Sequence, residues 1–164
     1  MSEHEQFSDA VVNNRLALVD SMLRKNKALG SCARDKWGWP PMHSAVRQGY
    51  RRMLRVLARH GVSVDMPAAC NQTYFPPELV FAVHDYEFTP LELAVHRNNK
   101  HVVAELIRLG AHVNESQRNV RFRYCRMSAC DEQEYHSHFV VGETAFQYAA
   151  RRDNTAIVTC IRTK

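Results

Sequence analysis

The chain lacks any run approaching the roughly 20 consecutive apolar residues that a membrane-crossing helix requires. Its opening residues, Met1 to Gln6, are polar and acidic and do not form a secretory signal. Catalytic signatures are missing as well: there is no Gly-rich phosphate loop, no Gly-x-Ser-x-Gly and no His-Glu-x-x-His. No RNA- or DNA-reading motif is present. The five cysteines (Cys32, Cys70, Cys125, Cys130 and Cys160) are odd in number and widely scattered. That pattern argues against a disulfide framework and for reduced thiols, hence for the cytoplasm, with the nucleus as a second location. In such a compartment Asn71-Gln72-Thr73 and Asn114-Glu115-Ser116 match the glycosylation pattern only by chance.

What is present is ordinary in bulk. A length of 164 residues, 45% hydrophobic and 24% charged, is one globular domain's worth. The 22 basic residues exceed the 17 acidic ones by +5. This slight excess favours an acidic partner, though a balance of this size is usually a solvated surface.

The informative feature is repetition. Pro40-Pro41-Met42-His43-Ser44-Ala45, Thr89-Pro90-Leu91-Glu92-Leu93-Ala94 and Thr144-Ala145-Phe146-Gln147-Tyr148-Ala149 follow one template. Each precedes a second apolar segment: Met53-Leu54 with Val56-Leu57, Val102-Val103 with Leu106-Ile107, and Ile157-Val158 with Cys160-Ile161. Two copies then run into Gly61-Val62-Ser63-Val64-Asp65 and Gly110-Ala111-His112-Val113-Asn114. Such a unit cannot bury its apolar face alone, so a stacked array is expected.

The unit resembles the ankyrin repeat, with its Thr-Pro-Leu-His-x-Ala opening and Leu-Leu-x-x-Gly-Ala-x-Val-Asn tail; Phe88 to Asn114 matches almost throughout. The resemblance implies an all-α solenoid of stacked helix-loop-helix units with β-hairpin fingers. Four residues after each motif Ala the backbone should turn left-handed, where Gly, Asn and Asp are the tolerated residues. Counting from Ala45, Ala94 and Ala149 reaches Gly49, Asn98 and Asp153. Counting for a hidden first copy from Ala10 reaches Asn14, with Leu18-Val19 and Met22-Leu23 at outer-helix core positions and Asn26 aligned with Gly61 and Gly110. The expectation is a single domain over residues 1–164, with repeats near 7–34, 35–65, 86–114 and 142–164. Thr89 should cap its helix, with Pro90 preset for the first turn, whereas Pro40 leaves capping in copy two to another group. Asp20, Arg24 and Lys25 put charge on the outer helix of copy one, as suits a terminal unit facing water.

Spacing between motif alanines is 35, 49 and 55 residues, against about 33 for a bare unit. The excess forms insertions at residues 66–85 and 115–141, both on the finger side. In the second, Val120, Phe122 and Tyr124 alternate with Arg121, Arg123 and Cys125, and Tyr135 to Val141 alternate likewise, so an extended hairpin is expected with Phe122 and Phe139 on its packed face. In the first, Pro76-Pro77 precedes an apolar run that is either a short strand or one buried helical turn. The elongated fingers are similar to those in the cytosolic ankyrin region of vanilloid-type transient receptor potential channels, on the strength of Phe139 to Ala150.

Cys125, Cys130, His136 and His138 are zinc-ligand types within one stretch, but their spacing is atypical of structural zinc, and no metal or other cofactor is assigned. His43 occupies the repeat's usual His position and Asp35 and Gly38 look like loop-closing residues. Trp37 and Trp39 flank Gly38, either packed or projecting as binding anchors. The function expected is non-enzymatic protein–protein interaction: inhibiting, recruiting or scaffolding a partner with an acidic surface. No direct nucleic-acid contact is expected, and the chain should be a monomer. The partner-binding residues expected are Trp37, Trp39, Arg47, Gln48, Tyr74, Phe75, His96, Arg97, Arg121, Arg123, Arg151 and Arg152. The alternative is the cytosolic arm of a larger channel or enzyme.

Overall fold

In the computed structural model the described residues are 1–36, 38–70, 84–114, 120–122 and 144–162, with backbone alone at 69–70, 84–88 and 120–122. The helices are α1 (Glu3–Val12), α2 (Leu16–Lys25), α3 (Leu29–Cys32), α4 (Pro41–Gln48), α5 (Arg51–Arg59), α6 (Pro90–His96), α7 (Lys100–Arg108), α8 (Ala145–Arg151) and α9 (Thr155–Arg162). The strands are β1 (Ala68–Cys70), β2 (His84–Phe88) and β3 (Val120–Phe122). Adjacent helices pack as pairs, α1 on α2, α4 on α5, α6 on α7 and α8 on α9. Successive pairs then stack: α1, α4, α6 and α8 form an inner row, and α2, α5, α7 and α9 an outer one. The molecule is mostly helical and built by repetition.

Template positions explain the core. Phe7, Met42 and Leu91 are buried at one point of the inner row, and Ala10, Ala45, Ala94 and Ala149 at another. Val19, Leu54 and Val103 do the same in the outer row. Alanine keeps the two rows close, and the larger apolar residues fill the space between pairs.

Every inner helix is followed by a left-handed residue: Asn14 at φ 57°, Gly49 at 78°, Asn98 at 55° and Asp153 at 52°. These lie four residues after Ala10, Ala45, Ala94 and Ala149, as the count requires. Gly61 and Gly110 follow the outer helices with φ of 82° and 97°. Asn26 departs from that series, with φ −142°. Its side-chain oxygen accepts from the Ala28 N–H and its amide donates to the Glu3 carboxylate. The chain therefore enters α3 directly, and Gly30 of that helix lies against Val62, where a Cβ would stand 2.4 Å from Val62 Cγ2.

Helix starts follow side-chain chemistry. Thr89 and Glu92, and Thr144 and Gln147, form reciprocal capping boxes, as do Ser2 and Glu5. Pro40 makes no side-chain cap for α4, and Pro41, having no N–H, leaves one donor fewer to satisfy.

Leu18, aligned with the buried Met53, Val102 and Ile157, is 41% exposed. The matching stripe of α5, from Met53 to the capping residue His60, faces the preceding pair, since His60 Nε2 lies 2.8 Å from Asp20 Oδ1. No described element covers that stripe of α2, where Ser21 and Lys25 are exposed beside Leu18. Asp20 thus turns toward the second pair rather than to open water. Its hydrogen bond to His60, with help from the Arg24 and Arg59 charges, holds its carboxyl below the usual range.

The strands form one antiparallel sheet in the order β1-β2-β3, with Ala68 opposite Phe88 and Asp85 opposite Arg121. β2 leads into α6, and β3 comes after α7, so both long insertions contribute backbone to a common sheet. Most of the expected hairpin around Phe122 and Phe139 and the run after Pro76-Pro77 lie outside the described residues.

Side-chain bonds also join neighbouring pairs. Arg55 of α5 meets Glu105 of α7, whose Oε1 accepts from Arg108 too. Asp65 accepts from the His112 backbone N–H and lies 2.8 Å from its Nδ1. Asn154 donates to the Asn98 side-chain oxygen. Glu105 is buried, yet its two arginine partners, Arg55 foremost, pull its carboxyl down to about 2.

Candidate functional site

Of the expected partner-binding residues, the described ones fall into two groups at opposite ends of the inner helices. Trp39 stands just before α4, and Arg47 and Gln48 close it, about 10 Å further along the axis. Arg121 lies in β3, on the strand side, with only its backbone described. Trp37, Tyr74, Phe75 and Arg123 lie outside the described residues, as do Cys125, Cys130, His136 and His138. Among the described residues no cluster of side chains could hold a metal.

Trp39 is packed, not projecting: it is 8% exposed and its ring stacks on the buried His43, centroids 5.6 Å apart. The loop before it is closed locally. Asp35 N–H donates to the Trp39 carbonyl, Trp39 N–H donates to Asp35 Oδ1 at 2.9 Å, and Ser44 Oγ donates to Asp35 Oδ2. Gly38 turns this loop at φ 82°.

The other group converges. Arg47, His96 and Arg151 occupy the last turns of α4, α6 and α8, three helices in contact along the inner row. Cations in a last turn also favour the helix C-terminus, so placement alone has a local explanation. The geometry around Tyr148 goes further. This ring is buried, and its hydroxyl accepts from Arg152 Nη1 at 2.8 Å and lies 2.9 Å from His96 Nδ1. The guanidinium groups of Arg151 and Arg152 sit 5.3 and 5.6 Å from the ring centroid, in cation–π range. Beside them opens a cavity of about 330 Å³ lined by Val95, His96, Asn98, Tyr148, Arg152 and the turn from Asp153 to Ala156. Arg97, following His96, is exposed.

Tyr148 was missed as a site residue because its template slot holds Ser44 and Leu93 in the other copies, which marks it only as packing. The available signal was a hydroxyl-bearing ring at a slot one turn before two arginines.

A family model for ankyrin repeats, in three copies, matches residues 7–117. The chain belongs to the ankyrin-repeat family, whose repeats are in general protein–protein interaction modules. A search of curated proteins found no match. Among the described residues no helix is long and apolar enough to cross a membrane.

Proposed function

We propose that this chain is a non-enzymatic binding module that grips a partner protein through its inner helices and extended fingers, so as to inhibit, recruit or scaffold it. In this reading residues 1–164 form one domain of four units, the pair α8/α9 being the fourth, and the strands are the bases of hairpin fingers drawn from insertions 66–85 and 115–141. It acts as a monomer in the cytoplasm or nucleus, on a partner with an acidic surface.

One observation carries the reading: basic residues close three neighbouring inner helices, Arg47, His96 and Arg151, each followed by Gln48, Arg97 or Arg152. Basic side chains repeated across unit boundaries along the stacking direction suit association steered by charge. The test is affinity capture from cells with the partner identified. Arg97→Glu combined with Arg151→Glu should abolish capture while circular dichroism stays unchanged. Undiminished capture by the folded double variant would remove the inner-helix surface from consideration.

A further inference from the structure

We infer that the basic row receives an acidic segment in polyproline II conformation with a carboxylate at every third residue, one of them seated in the cavity beside Tyr148. The inference rests on the protein-binding reading above and specifies its ligand.

Spacing is the first argument. Packed helices lie about 8–10 Å apart, so α4, α6 and α8 repeat their C-terminal ends at that interval. A polyproline II chain rises about 3.1 Å per residue with three residues per turn. Side chains at i, i+3 and i+6 therefore point to one side and recur every 9 Å or so. On one face a β-strand recurs about every 6.6 Å, at i and i+2, and an α-helix about every 5–6 Å or, over two turns, about every 10.5 Å. Of the three backbones, polyproline II is the one whose same-face repeat falls inside the roughly 8–10 Å interval.

The second argument is donor chemistry. Arg152 has five N–H donors and no acceptor, and one donor goes to the Tyr148 hydroxyl. His96 shares the same hydroxyl. The cavity thus gathers cationic and donor groups around one phenolic oxygen, and its complement is an anionic acceptor. Among the described residues no carboxylate comes within ion-pair distance of Arg97 or Arg152. Asp153 in the lining limits how much negative charge the occupant can carry. A carboxylate tolerates one nearby negative charge better than a phosphate carrying nearly two.

The test uses fluorescence anisotropy at low salt with a labelled, amidated peptide that repeats glutamate, proline and alanine three times. Controls carry the same residues with the glutamates consecutive, glutamine throughout, or phosphoserine for the central glutamate. The spaced peptide should bind about fivefold tighter or more than the consecutive one, and the glutamine peptide should not bind. Arg152→Gln, and separately Arg97→Gln at an exposed position, should each weaken binding several-fold, while Arg162→Gln at the far end of α9 should not. Equal affinity for the spaced and consecutive peptides, no binding, tighter binding of the phosphoserine peptide, or indifference to both row variants overturns the inference. Should the Arg97→Glu/Arg151→Glu pair still abolish capture of the whole partner, only the ligand fails and the binding surface stands.

Discussion

Arg55 of α5 and Glu105 of α7 are joined by two parallel bonds, Nε to Oε1 and Nη2 to Oε2, each 2.8 Å. The fork-to-fork geometry fixes one outer helix against the next, and the carboxylate end is buried while Arg55 keeps a half-exposed side chain.

This pair gives the protein a definite acid response. Its arginines lower the Glu105 carboxyl from 4.5 to about 2, so its contribution is complete above the unfolded value and disappears as pH falls through the folded one. With Arg55 half in water, solvent screening trims that contribution. Arg55→Ala should lower stability at neutral pH in urea unfolding, and the gap to the parent should close below about pH 2–3. A gap independent of pH would assign the loss to packing of the Arg55 stem.

The left-handed turns predict a pattern of tolerance. Asn14→Ala and Asp153→Ala, both at positive φ, should each cost about 1 kcal/mol through backbone strain. Asn14→Gly should stay within about 0.5 kcal/mol of the parent, since glycine accepts this conformation. Thermal unfolding of the three variants decides it, and an alanine as well tolerated as glycine at residue 14 would contradict the turn.

Gly30 makes the third prediction. A methyl there would meet Val62 Cγ2, on a stiff, buried, β-branched side chain. Gly30→Ala should destabilise by about 1–3 kcal/mol. Val62→Ala removes the opposing methyl, so the double variant should be more stable than the two single losses summed. Simple additivity would mean that α3 shifts away instead.

Much of the fold was legible because backbone rules act locally. A count of four from a motif alanine reached Asn14, Gly49, Asn98 and Asp153 without knowledge of any long-range contact. Thr89 and Glu92 likewise reveal their capping box three residues apart. What eluded reading depends on distant partners. Trp39 beside Gly38 reads the same whether packed or projecting, until the His43 ring is placed beneath it. Glu105 looks like a lone charge on an apolar helix because Arg55 lies 50 positions earlier. Asp20 resembles an end-facing charge for the same reason, its partner His60 being 40 residues on. The candidate site was half legible: the arginines and His96 recur at fixed offsets from the alanines, but the hydroxyl beside them lies 52 residues from His96.

The polar fastenings between helix pairs form a different set at each junction: carboxylate with imidazole at the first, carboxylate with both guanidinium and imidazole at the second, amide with amide and imidazole with phenol at the third. Slabs this alike in outline could otherwise be shuffled or skipped during assembly with little loss of apolar contact. Because each seam holds its own combination of mates, a slab placed out of turn would strand a charge or an amide, and the order of the stack is written into its joints.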